Sequence, residues 1–131
     1  MKENVMENGT VQCWHEDGIL YGVFKIPVLD IDGAKIALET RLKVAGGVSF
    51  PFLVDARGVK SISKEARDYL ASDDGTQNVN ASALLLESAL GRFLGNFFLQ
   101  LSKPKVPTRL FTSENDALEW LGQYKKTKSK K

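Results

Sequence analysis

The chain has 131 residues, enough for one domain with a buried core, and its 43% apolar and 26% charged content is that of a globular protein. A single cysteine, Cys13, and a single histidine, His15, exclude an internal disulfide framework, a cysteine-rich metal site and a histidine cluster. No apolar run approaches the ~20 residues of a membrane span, and the opening MKENVMENGT lacks the apolar stretch of a secretory signal, so a cytoplasmic location is expected.

In chain order, residues 1–8 read as a disordered N-terminus, 9–124 as the folded domain and 125–131 as a basic disordered tail. Thr10 to His15 and Ile19 to Ile26 are strand-like runs on either side of Asp17-Gly18, a hairpin signal, and Pro27 ends the second. Asp30 or Asp32 can cap a helix whose apolar positions Ile31, Ala34, Leu38 and Leu42 follow helical spacing, with Gly46-Gly47 as its stop. Phe50 to Val54 is apolar throughout, as suits a central strand covered on both faces. A second helix is expected from Ser63 to about Ser72, ended by Asp73-Asp74-Gly75, and another apolar strand over Ala81 to Leu86. A third helix follows over Ser88 to Leu101, then a strand over Thr108 to Phe111. Ser113 and Asp116 form a capping box before a last helix bearing Ala117, Leu118, Trp120 and Leu121.

The order β-β-α-β-α-β-α-β-α predicts an α/β fold: a mostly parallel central sheet of about five strands, an N-terminal antiparallel hairpin and four helices. Two stretches carry a family resemblance: FLVDARGVKSIS, Phe52 to Ser63, and RLFTSENDALEWL, Arg109 to Leu121. They resemble the core strand–turn–helix and the closing strand–helix of the SpoIIAA-like branch of the STAS superfamily, which neighbours the CRAL-TRIO lipid-transfer fold. The resemblance spans Thr10 to Leu121 and implies a non-catalytic regulatory or protein-interaction domain. STAS antagonists read Asp-Ser-Ser-Gly at the helix start, with the first Ser phosphorylated. Aligned from Asp55, this chain has Ser63, Lys64, Glu65 and Ala66 there, so the phospho-acceptor serine is missing. Ser63 reads as a helix N-cap.

Asp55 stands at the carboxyl end of a central strand, where open α/β sheets bind ligands. With Arg57, Lys60, Ser61, Ser63 and Lys64 it makes a candidate partner-docking surface, although Asp55 and Arg57 can equally form a local ion pair. In the third expected helix, Leu90, Phe93, Leu94, Phe97, Phe98 and Leu101 cover more than one face, more than a single sheet needs. They are candidates for a homodimer interface or for the wall of an apolar-ligand pocket. The GxGxxG, Walker and GxSxG signatures are absent, no cofactor is implied, and capping accounts for Asp30 and Asp32 without a metal. His15 is expected to be exposed in a turn, and Cys13 to be packed rather than reactive.

Lys125, Lys126, Lys128, Lys130 and Lys131 leave the remainder of the chain at a formal −3 against +2 overall. An acidic body without interleaved basic and aromatic residues argues against nucleic acid. The favoured expectation is therefore a STAS-like interaction domain that docks a protein partner around Asp55 to Glu65 and dimerises through the third helix. The alternative is a small carrier of a lipid or acyl chain, working at a membrane surface through its lysine tail.

Overall fold

The computed structural model describes residues 1–88, 91 and 103–125. Six strands form one sheet: β1 (Glu3–Glu7), β2 (Val11–Glu16), β3 (Ile19–Phe24), β5 (Phe50–Asp55), β7 (Val79–Leu85) and β8 (Thr108–Phe111), in that spatial order. β1, β2 and β3 pair antiparallel, while β3–β5, β5–β7 and β7–β8 are parallel. The helices are α1 (Ile31–Ala45), α2 (Lys64–Ala71) and α3 (Glu114–Leu121), followed by a short 3-10 turn over Gly122–Tyr124. The expected α/β class, the parallel core and the N-terminal hairpin are all present. The sheet has six strands rather than about five, and three α-helices are described rather than four. The helix expected over Ser88 to Leu101 falls largely outside the described residues.

The capping chemistry sets the helix ends. Asp30 Oδ1 accepts from the Gly33 N–H at 2.9 Å, Ser63 Oγ from Ala66 at 3.1 Å and Ser113 Oγ from Asp116 at 3.3 Å. Asp17 and Gly18 both take positive φ, 54° and 79°, the twist that a two-residue hairpin needs between β2 and β3. Across that hairpin Trp14 pairs with Tyr21, their rings stacked at 5.0 Å.

Residues 1–8 are a correction. Glu3–Glu7 forms an edge strand whose five residues are all exposed, so no apolar alternation announces it. Backbone pairing with β2, with an irregular register between Glu3 and Met6, holds it there. Asn8 Oδ1 accepts from the Thr10 and Val11 N–H groups, and Lys25 pairs with Glu7. A second unforeseen element is the two-residue parallel pair β4 (Val28–Leu29) and β6 (Ser61–Ile62), too short to leave a pattern in the sequence. Through it Ser63 N–H donates to Leu29 O at 3.0 Å, which fixes the start of α2 beside the start of α1.

Side chains alternate across the sheet. On one face Ile19, Leu53, Ala81, Ala83, Leu85 and Phe111 are buried against Ala117 and Leu121 of α3, with Trp120 packed beside them. On the other, Val11, Cys13 and Leu20 pack under Ala37 and Val44 of α1. Leu29, Ala34 and Ala66 then join α1 to α2. The β5–β7–β8 half of this second face presents Phe52, Val54, Leu84 and Leu110.

Gly75, in the loop after α2, sits against backbone: a Cβ there would fall 2.3 Å from Tyr69 O and 2.6 Å from Leu70 Cα. Gly75→Ala should therefore destabilise the fold by at least about 1–3 kcal/mol, because neither neighbour can swing aside. Urea unfolding should show a lower midpoint at unchanged slope; an unchanged midpoint would contradict this packing.

Candidate functional site

The residues proposed for partner docking gather at the carboxyl ends of β5 and β6 and the first turn of α2, and most of them are engaged locally. Arg57 donates to Asp55 Oδ1 from its backbone N–H at 3.1 Å and from Nε at 3.0 Å, and its terminal nitrogen donates to Oδ2 at 2.8 Å. The same nitrogen lies 3.8 Å from Glu114 of α3. Partial burial pushes the Asp55 carboxyl upward, but the side-chain and backbone hydrogen bonds from Arg57 outweigh it and hold the group below its ordinary 3.8. Ser63 is spent as the α2 cap, and Lys64 pairs with Asp68 one turn on at 2.7 Å. Ser61 lies in β6 with its side chain exposed, and the Lys60 N–H donates to Pro27 O at 2.7 Å. The structure thus brings all six together, but as a braced turn.

Behind this turn, between the second sheet face and helices α1 and α2, lies a cavity of about 560 Å³. Its walls among the described residues are mainly apolar: Phe52, Val54, Leu84 and Leu110 from the sheet, and Leu38 and Leu70 from the helices. Lys60, Ser61, Arg67 and Thr76 supply polar groups along its lining. A volume of this size suits a small organic molecule, for which pockets of ~300–1,000 Å³ are usual. Leu90, Phe93, Leu94, Phe97, Phe98 and Leu101, expected to form an apolar interface or pocket wall, lie outside the described residues.

Arg41 also lines the cavity and is only 3% exposed. One terminal nitrogen donates to Gln77 O at 2.6 Å and the other to Gly75 O at 2.8 Å, while the guanidinium carbon stands 5.2 Å from the centre of the Phe52 ring. Gly22 makes room for that ring, since a Cβ there would lie 3.1 Å from it. Burial lowers the Arg41 pKa to about 10, which leaves it a cation at neutral pH. Cys13, 1% exposed in the same lining, has its thiol pushed up to about 11 by burial, with Arg41 pulling weakly the other way. It is a neutral thiol at pH 7, as its packed position in β2 suggests. Arg41 was not among the sequence candidates, yet the signal was present: it interrupts the apolar stripe Ala34, Ala37, Leu38, Val44, Ala45 of α1.

His15 is a correction. It is half-buried in β2, stacked on Phe50 at 5.1 Å and within 3.3 Å of Asn4 Nδ2, not exposed in the turn. β2 runs through Glu16 and turns its His15 side chain onto Phe50, a contact that no local pattern shows. Lys125, placed by the sequence in the tail, reaches Asp17 at 3.5 Å, and residues 126–131 lie outside the described residues. Among the described residues no three of His, Cys, Asp and Glu come together as metal ligands, and Asp30 caps α1.

This architecture is that of a SpoIIAA-like domain. Over residues 13–125 the chain matches a family described as a domain of unknown function, DUF7793, and it belongs to that family. The crystal structure of an uncharacterised DUF3478-family protein with a SpoIIAA-like fold, from Shewanella loihica PV-4, superposes with a TM-score of 0.61. That match covers 92% of this chain and 95% of the other at 13% identity, so the likeness is one of fold. A protein of unknown function from Arthrobacter sp. FB24 is 25% identical over 90% of this chain and 97% of its own, at a TM-score of 0.34. No curated protein matches the chain. No helix among the described residues is long and apolar enough to cross a membrane.

The Asp55–Arg57 pair has a measurable pH signature. Asp55→Asn should cost about 0.5–1 kcal/mol at pH 7, the partial exposure of Arg57 keeping the value small. Because the folded carboxyl titrates below 3.8, its stabilisation is complete above that value and is lost as the pH falls through the lower, folded one. Urea midpoints of wild type and variant should differ at pH 7 and converge in acid below the ordinary value; a gap that persisted there would contradict the assignment.

Proposed function

We propose that this chain is a non-catalytic binding domain that takes a small apolar molecule in the cavity between its sheet and helices α1 and α2. The observation that carries this is the cavity itself, about 560 Å³ walled by Phe52, Val54, Leu84 and Leu110. Apolar area of that extent is normally closed by packing in a protein interior, and an apolar guest gains the free energy of removing it from water. Two buried groups of its lining argue for binding rather than chemistry: Cys13 is a neutral thiol, and Arg41 is too firmly protonated to exchange a proton at neutral pH.

A second reading keeps the regulatory role that the fold likeness suggests, with a protein partner docking beside the α2 N-terminus. It is favoured by Val28, 60% exposed, which pairs with the exposed Ser61 next to Lys60 and Lys64. On this reading charge reversal at Lys60 and Lys64 weakens partner binding, and the free domain is a homodimer.

Native mass spectrometry of the freshly purified chain separates the two. A monomer carrying a stoichiometric small molecule supports the cavity, and a ligand-free dimer supports docking. Titration with dodecanol provides the direct test. Binding should saturate at one equivalent, and Leu84→Trp, which fills the cavity, should weaken it at least about tenfold while unfolding stays cooperative. Absence of saturable binding to the wild type, or equal binding by the variant, would overturn the cavity reading.

A further inference from the structure

We propose that Arg41 is an anion anchor, and that the molecule suited to the cavity is a single-chain aliphatic carboxylate whose head group meets this guanidinium. The inference rests on the cavity reading and deepens it.

A cation almost wholly removed from water must be compensated, ordinarily by a carboxylate. All 16 Asp and Glu side chains of the sequence lie among the described residues, and none of them pairs with Arg41. What it has is the oxygens of Gly75 and Gln77, which are dipoles without net charge, and the face of Phe52. Cys13 and Tyr69 are the acidic groups that act on it electrostatically, and the Cys13 thiol holds its proton at neutral pH. The positive charge is therefore solvated but not neutralised. A guanidinium also carries more N–H donors than these two carbonyls occupy, and its planar fork matches a carboxylate.

The position of Arg41 gives the charge a use. It lines the same cavity as Val54, Leu84 and Leu110, so one bound molecule can place a charged end on Arg41 and an aliphatic chain on the sheet. A neutral hydrocarbon would leave the cation uncompensated, and a dianion such as phosphate would waste the apolar walls. The two carbonyl bonds hold the guanidinium in position before any ligand arrives, so little ordering cost falls on binding. A role confined to bracing the loop after α2 would require the two carbonyls alone. It would predict no preference for charge in whatever the cavity holds.

The wild-type chain decides this without a variant. Dodecanoate, dodecanol and dodecylammonium are titrated by calorimetry below their aggregation concentrations, with amide shifts followed by NMR. Dodecanoate should bind at one equivalent, about tenfold or more tighter than dodecanol, with dodecylammonium weakest. The Gly75 and Gln77 amides should shift with dodecanoate more than with dodecanol. Arg41→Gln should abolish the preference of acid over alcohol, and Arg41→Lys should retain part of it. Equal binding of acid and alcohol by the wild type would overturn the anchor and leave the cavity reading standing. So would an undiminished preference in Arg41→Gln. If none of the three probes bound, the cavity reading and the anchor would fall together.

Discussion

A guanidinium buried inside a small domain has to be surrounded by acceptors, and that requirement organises this fold around α1. Arg41 reaches across to the oxygens of Gly75 and Gln77, tying the middle of α1 to the loop that leads from α2 into β7. That loop runs so close to the end of α2 that only glycine fits at position 75. The same side chain rests over Phe52 of β5, whose ring has space because β3 carries Gly22 opposite it. One charged residue thus couples α1, the loop after α2 and β5.

The two sheet faces are closed in different ways. Small residues, Ala81 and Ala83, let α3 come down onto β7, and Phe111 and Trp120 complete a tight layer. The opposite face is divided. Its β2–β3 half is covered by α1, whereas its β5–β7–β8 half carries large apolar side chains that, among the described residues, border a cavity. The antiparallel strands β2 and β3 lie to one side of β5 and the parallel strands β7 and β8 to the other, and α1 packs on the β2–β3 side.

At the carboxyl edge of the sheet, the usual place for function in open α/β folds, the side chains brace one another. Asp55 and Arg57 stiffen the turn after β5, the β4–β6 pair clamps the approach to α2, and Ser63 closes the first turn of that helix. Lys64 is turned along the helix to Asp68, and Ser63 caps the helix start.

Much of this was legible in the residues themselves. Helix caps at Asp30, Ser63 and Ser113, the Asp17-Gly18 hairpin and the apolar central strands are encoded within a few residues of where they act, because capping, turn geometry and burial on both faces are local demands. The resemblance of Phe52 to Ser63 and of Arg109 to Leu121 carried the fold with them. The edge strand β1 was not legible, since an exposed strand held by backbone pairing imposes no alternation. The two-residue β4–β6 pair was too short for any period, and the contact of His15 with Phe50 joins residues far apart in the chain. Arg41 lies between these cases. Its place on an apolar stripe is visible in α1, but a charge on such a stripe could equally reach water past the helix edge. Only the tertiary structure, by closing the Gly75–Gln77 loop over it with no carboxylate in ion-pair range, decided that the charge is buried at the edge of a cavity.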